Sequence, residues 1–134
     1  MPPFVISKVS KELKTVWGWA SVVKEADGTI VVDHQSDVIE PAELQRAAHV
    51  FMRDSRVGGI MHEQTDGIAH VTESLVTTEE TVAALFPNIQ KGLIPVGWCV
   101  AVKVLDDAVW QRILNGELSE FSIHGTGERV PYEE

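Results

Sequence analysis

Cysteine is nearly absent from this chain: Cys99 stands alone inside the apolar run Val96-Gly97-Trp98-Cys99-Val100-Ala101-Val102. An intrachain disulfide is therefore excluded, and Cys99 reads as a buried small hydrophobe suited to a reducing compartment. Basic residues are scarce as well, 11 against 20 acidic ones, for a formal net charge of -9. That surplus repels a phosphate backbone, and no stretch concentrates Lys or Arg enough to offset it, so nucleic acid is not an expected partner. No apolar run reaches the length of a membrane span, and Met1-Pro2-Pro3-Phe4 lacks the charged and apolar regions of a signal peptide. The protein is thus expected to engage no membrane and to act where it is made. Nucleophile elbow, Walker loop, dinucleotide fingerprint and spaced zinc cysteines are all missing. What is present is ordinary for a soluble globular chain: 134 residues, 44% apolar and 23% charged, enough for one core and one domain over residues 1–134.

Two β-rich runs, residues 15–23 and 29–33, flank Asp27-Gly28 and predict a tight hairpin. Pro41 opens a helix in which Leu44, Ala47, Ala48 and Phe51 form one apolar face, ending near Asp54. A strand leads through Gly58-Gly59 to His62. Another follows over residues 67–76, with Ile68, His70, Thr72 and Ser74 on one face and Ala69, Val71, Glu73 and Leu75 on the other. Thr77 and Glu80 have capping-box spacing before a short helix that Pro87 stops. Residues 96–105 are nearly all apolar and predict a strand buried on both sides. Asp106 or Asp107 caps a further helix carrying Val109, Trp110, Ile113 and Leu114, closed by Asn115-Gly116. The last strand is Glu120-Phe121-Ser122-Ile123-His124. Strands outnumber helices and connect through hairpins and short helices, which favours an α+β, mainly antiparallel sheet or barrel with helices outside it. Trp17, Trp19, Trp98 and Trp110 read as core.

One combination of residues carries chemistry. Ser122 sits between Phe121 and Ile123, so it falls on the opposite strand face from both, and Gly125-Thr126-Gly127 follows with backbone N–H groups that could hold an oxyanion. A serine hydroxyl needs an adjacent base, and His62, after Gly58-Gly59, is the best placed. Spacing alone still favours an ordinary strand serine and loop histidine. A competing set, Asp33, His34, Asp37, His62 and Glu63, has donors that suit zinc or manganese and would make a metal-dependent hydrolase. No pair of these histidines has helical ligand spacing, however, and Asp33-His34-Gln35-Ser36-Asp37 reads equally as an Asx turn.

Several longer segments change that weighting. They are Trp17-Gly18-Trp19-Ala20-Ser21-Val22, the stretch from Val32-Asp33-His34 to Glu40-Pro41, the stretch from Ser55-Arg56-Val57 to Met61-His62-Glu63, Pro95-Val96-Gly97-Trp98, Asp106-Asp107-Ala108-Val109-Trp110, and Phe121-Ser122-Ile123. Over residues 16–129 the chain resembles the XkdF-type phage proteases. That family is similar to the prohead proteases of tailed phages and, more remotely, to the herpesvirus assemblins. The resemblance implies a small assemblin-like β-barrel ringed by short helices and a procapsid-maturation serine endopeptidase with no cofactor. It would work in the bacterial host cytoplasm, inside the procapsid, on scaffold, on segments of the major capsid protein and on its own tail, and homo-oligomers are compatible with it.

The histidine of the family's Met-His-Glu segment falls on His62, and the serine of its Phe-Ser-Ile segment on Ser122. Glu73, which matches a Glu-Ser pair in the family, is the first candidate to orient the imidazole. His124 competes because it shares a strand face with Ser122 and assemblins resemble a Ser-His-His arrangement; His70 and His34 stay open. The chain departs from the family pattern at His124, usually glycine, and at Ser36, also usually glycine. Family members tend to continue into a longer tail, so a trimmed or processed form is expected here. A capsid-associated or scaffold module that keeps the fold without the activity is the remaining alternative.

Overall fold

The computed structural model describes residues 4–32, 38–54, 57–60, 64–118 and 120–124; at residues 4–5, 57–60, 64–68 and 120–124 it describes the backbone alone. The elements are β1 (Phe4–Ser10), β2 (Thr15–Lys24), α1 (Pro41–Asp54), β3 (Val57–Ile60), β4 (Gln64–Val76), α2 (Glu79–Leu85), β5 (Val96–Val104), α3 (Asp107–Leu114) and β6 (Glu120–His124). Every strand pairing is antiparallel. The α+β, mainly antiparallel expectation therefore holds. Four long strands make the sheet β1-β2-β5-β4, and the two short ones extend it, β3 pairing β4 and β6 pairing both β3 and β1. The strand order β1-β2-β5-β4-β3-β6 thus returns to its start. The seam between β1 and β6 rests on two residue pairs, Phe4 with Phe121 and Val5 with Glu120.

β5 lies at the centre, as its sequence requires. Val96, Trp98, Val100, Val102 and Val104 alternate onto one face and are each 8% exposed or less. On the other face Gly97 and Ala101 are also buried, and only Lys103 reaches solvent fully. A side chain at 97 would collide with the carbonyl oxygen of Ser21 on β2, so the strands approach there as only glycine allows.

α1 lays Leu44, Ala48 and Phe51 against the β5 face, Phe51 meeting Trp98 edge-on with ring centroids 5.3 Å apart at 72°. Ala47, expected on that face, is exposed. α3 begins at Asp106, whose carboxylate accepts from the Val109 N–H at 2.9 Å, and it buries Val109, Trp110 and Ile113. Leu114 is exposed, and Gly116 takes a positive φ of 77° just past the helix end.

Three local expectations change. β1 is a strand that the sequence pattern does not announce, since its apolar residues Phe4, Val5 and Ile6 are consecutive and do not alternate with polar ones. Residues 29–33 make no strand among the described ones: past Gly28, at φ 95°, a single bridge joins Lys24 to Ile30, and the Val31 N–H donates to the Val23 carbonyl at 3.0 Å. The cap of α2 is Thr78, which accepts from the Thr81 N–H at 3.1 Å, not Thr77. Thr77 is buried instead and works as a clamp. Its hydroxyl donates to the Pro95 carbonyl at 2.8 Å and accepts from the Gly97 N–H at 3.1 Å, while its own N–H donates to the Gly97 carbonyl at 2.8 Å. α2 buries none of its residues, which leaves Leu85 and Phe86 exposed.

Candidate active site

β6 brings Ser122 to the centre of the short-strand region. Along β6 and β3, Val57 pairs His124, Gly58 pairs Ile123 and Gly59 pairs Ser122. Residues paired directly in an antiparallel ladder share a face of the sheet, about 5 Å apart at their Cα atoms. Ser122 therefore stands beside Gly59. Ile123 pairs Gly58, which pairs Ala69 on β4, which pairs Val104 on β5, and both Ala69 and Val104 are buried. The register thus puts Ile123 on the core face and Ser122 with His124 on the opposite face, as strand alternation predicts. No side chain crowds the ladder from positions 58 and 59, where both residues are glycine.

β3 ends at Ile60, which pairs Gln64 at the start of β4. His62 lies in the connection between them, outside the described residues, as do Asp33, His34, Asp37, Glu63 and the Gly125-Thr126-Gly127 segment. The covalent chain nevertheless limits His62: it is three residues from Gly59, at most about 11 Å of chain.

The competing orienting residues separate along the strands. His124 pairs Val57, Val57 pairs His70, and His70 pairs Lys103, so one row crosses β6, β3, β4 and β5 on the outer face. His70 and Lys103 are exposed in it. Glu73 also faces outward, contrary to simple alternation from Ala69 and Val71. A β-bulge between Val71 and Glu73 changes the phase of the strand, so Glu73 pairs Ala101 on the outer face and Ser74 pairs Val100 on the core face. The indole N–H of the fully buried Trp98 donates to the Ser74 hydroxyl at 2.7 Å, which explains why a serine is placed there. The sequence carries no mark of the bulge beyond a run of three polar residues, Thr72-Glu73-Ser74.

Glu73 lies far along β4 from where that strand begins. It stands nine residues along β4 from Gln64, roughly 30 Å of extended strand, and its side chain is exposed. The expectation that Glu73 orients His62 turns on His62, which lies outside the described residues. His70 stands six residues along the same strand, roughly 20 Å. Cys99 is no rival nucleophile: it is half-buried, its thiol contacts the Leu75 carbonyl at 3.3 Å, and burial pushes its pKa up. Among the described residues no group of His, Cys, Asp and Glu is arranged to hold a metal ion.

Comparison with known proteins places this geometry in a family. The chain is 31% identical over 130 residues to the uncharacterized protein YqbD of Bacillus subtilis, covering 97% of the chain and 37% of that protein. It is 31% identical over 117 residues to the phage-like element PBSX protein XkdF of the same organism, covering 87% of the chain and 38% of that protein. The chain thus spans a little over a third of the length of these relatives. No solved structure matches it. A family described as "Putative phage serine protease XkdF" matches residues 4–131, nearly the whole chain, and the chain belongs to this family.

Proposed function

We propose that the chain is the peptidase unit of a phage procapsid-maturation serine endopeptidase, with Ser122 as nucleophile and His62 as its base. The observation that supports the reading is the pairing of Ser122 with Gly59, on the strand that ends two residues before His62 in sequence. Membership of a family named for serine proteases supports it at the coarser level. A small assemblin-type barrel is the framework this reading assumes, and the closed strand order is consistent with it.

In the proposed reaction, His62 takes the Ser122 proton as the hydroxyl oxygen attacks the scissile carbonyl. The tetrahedral oxyanion is held by backbone N–H groups near Gly125 to Gly127, and the imidazolium then returns its proton to the leaving amine. Water repeats the sequence on the acyl-enzyme. The substrates in this reading are phage scaffold, segments of the major capsid protein and the protease's own tail, met inside the procapsid in the host cytoplasm. The chemistry uses no metal.

The test is co-expression of the full-length protein with its phage's scaffold and capsid proteins. Ser122→Ala is expected to abolish their processing, while a chelator leaves wild-type processing unchanged. Processing that survives Ser122→Ala contradicts the assignment, and loss on chelation favours the metal-dependent hydrolase. Absence of processing in the wild type favours a non-catalytic capsid or scaffold module.

A further inference from the structure

α2 and the loop behind it carry apolar residues that the fold leaves outside. Leu85 is 56% exposed, Phe86 42% and Ile89 40%, and α2 buries none of its residues. The backbone holds them together: the Phe86 N–H donates to the Val82 carbonyl at 2.8 Å, and the Ile89 N–H donates to the Phe86 carbonyl at 3.1 Å. A clustered apolar surface of this kind marks an interaction site, where a single exposed leucine would not. One side of it is acidic. The Gln45 side-chain amide on α1 lies 3.5 Å from the Thr81 hydroxyl, and Pro41 and Glu79 line one cleft, so the starts of α1 and α2 stand together. Residues 40–45 and 79–93 contribute Glu40, Glu43, Glu79 and Glu80 against Lys91 alone, and the adjacent Lys24 ammonium lies 3.8 Å from Glu79.

We propose that this surface docks a basic amphipathic helix of a partner protein. α2 offers side chains and no strand edge, so a partner lying on it must satisfy its own backbone, as a helix does. Glu79, Val82 and Phe86 follow one another at three- and four-residue spacing along one face, about 10 Å from first to last. The matching helix carries large apolar residues at one end of its contact face and Lys or Arg about two turns away. A second copy of this chain is the poorer occupant, because a two-fold contact through α2 gathers Glu79 and Glu80 of both protomers into one interface, where like charges repel. An anionic lipid surface is repelled in the same way, by these carboxylates and by the net charge of -9. The surface follows the last residue of β4, while β3 pairs the first half of that strand, so the proposal stands independently of the protease reading.

Fluorescence anisotropy tests it, with the full-length protein and a labelled helical peptide of leucine and lysine that sets its leucines on one face. A second peptide with glutamate in place of lysine is the control. The lysine peptide is expected to bind with a Kd below about 100 µM, and the glutamate peptide at least about tenfold more weakly. The double variant Leu85→Ser, Phe86→Ser keeps every charge and replaces side chains that are already exposed, so it should bind the lysine peptide about tenfold more weakly at an unchanged thermal midpoint. Glu79→Gln, Glu80→Gln should weaken the same peptide about threefold at low salt and flatten the salt dependence. Binding that the serine variant leaves unchanged is attraction to the acidic chain as a whole and overturns the proposal. Equal binding of the two peptides overturns it too, as does no binding at about 1 mM. A wild-type dimer in sedimentation that the serine variant turns into a monomer assigns the surface to a second copy instead.

Discussion

At the scale of single residues, what a side chain can do is decided by the backbone phase beneath it. Ser74 and Glu73 show this most directly: one bulge exchanges their faces, turning Ser74 inward to Trp98 and Glu73 outward to solvent. With Glu73 exposed on the outer face, Glu73→Gln is expected, under the proposed function, to leave turnover within about twofold of the wild type. Turnover of a scaffold precursor measures this, and a loss of a hundredfold at unchanged thermal stability would make Glu73 the orienting group. Ser122 was legible at this scale, since Phe121 and Ile123 fix its face by alternation alone. Glu73 was not, because a bulge is a property of two strands in register and leaves little trace in either one.

At the scale of elements, the segments read correctly are those whose period is long or whose ends are marked. α1 has its N-terminal proline and an apolar stripe, α3 its Asp106 cap and Gly116 stop, and β5 a run of alternating valines. Failures gather where a neighbour decides. β1 is a strand because β2 and β6 pair it, while residues 29–32 have strand composition but only one bridge to pair with. Thr77 has the composition of a cap, yet Gly97 and Pro95 use its hydroxyl first. The contact between α1 and the sheet centres on Phe51 and Trp98, both nearly inaccessible to solvent. Phe51→Ala is therefore expected to cost about 3–5 kcal/mol, lost apolar transfer plus a cavity beside the indole. Urea unfolding followed by tryptophan fluorescence measures it, and a loss under about 1 kcal/mol would mean that α1 contributes little to holding β5.

At the scale of the whole molecule, the four-stranded antiparallel sheet β1-β2-β5-β4 is extended by two short strands and a two-pair seam. Fold class was legible because strands outnumber helices and connect locally. The barrel expected from the family resemblance depends instead on β6, a strand of five residues, pairing both β3 and β1. That same pairing sets Ser122 beside Gly59, three residues from His62, although the serine and histidine are far apart in sequence. The proposed function requires these two residues to act as one unit, which covalent labelling can read out. The purified protein is treated with a fluorophosphonate and the modified peptide is located by mass spectrometry. The account predicts a single adduct on the peptide carrying Ser122, formed roughly a hundredfold or more slowly in His62→Ala, since a missing general base costs at least that much. An adduct on another residue, or labelling of Ser122 that His62→Ala leaves unchanged, would contradict it.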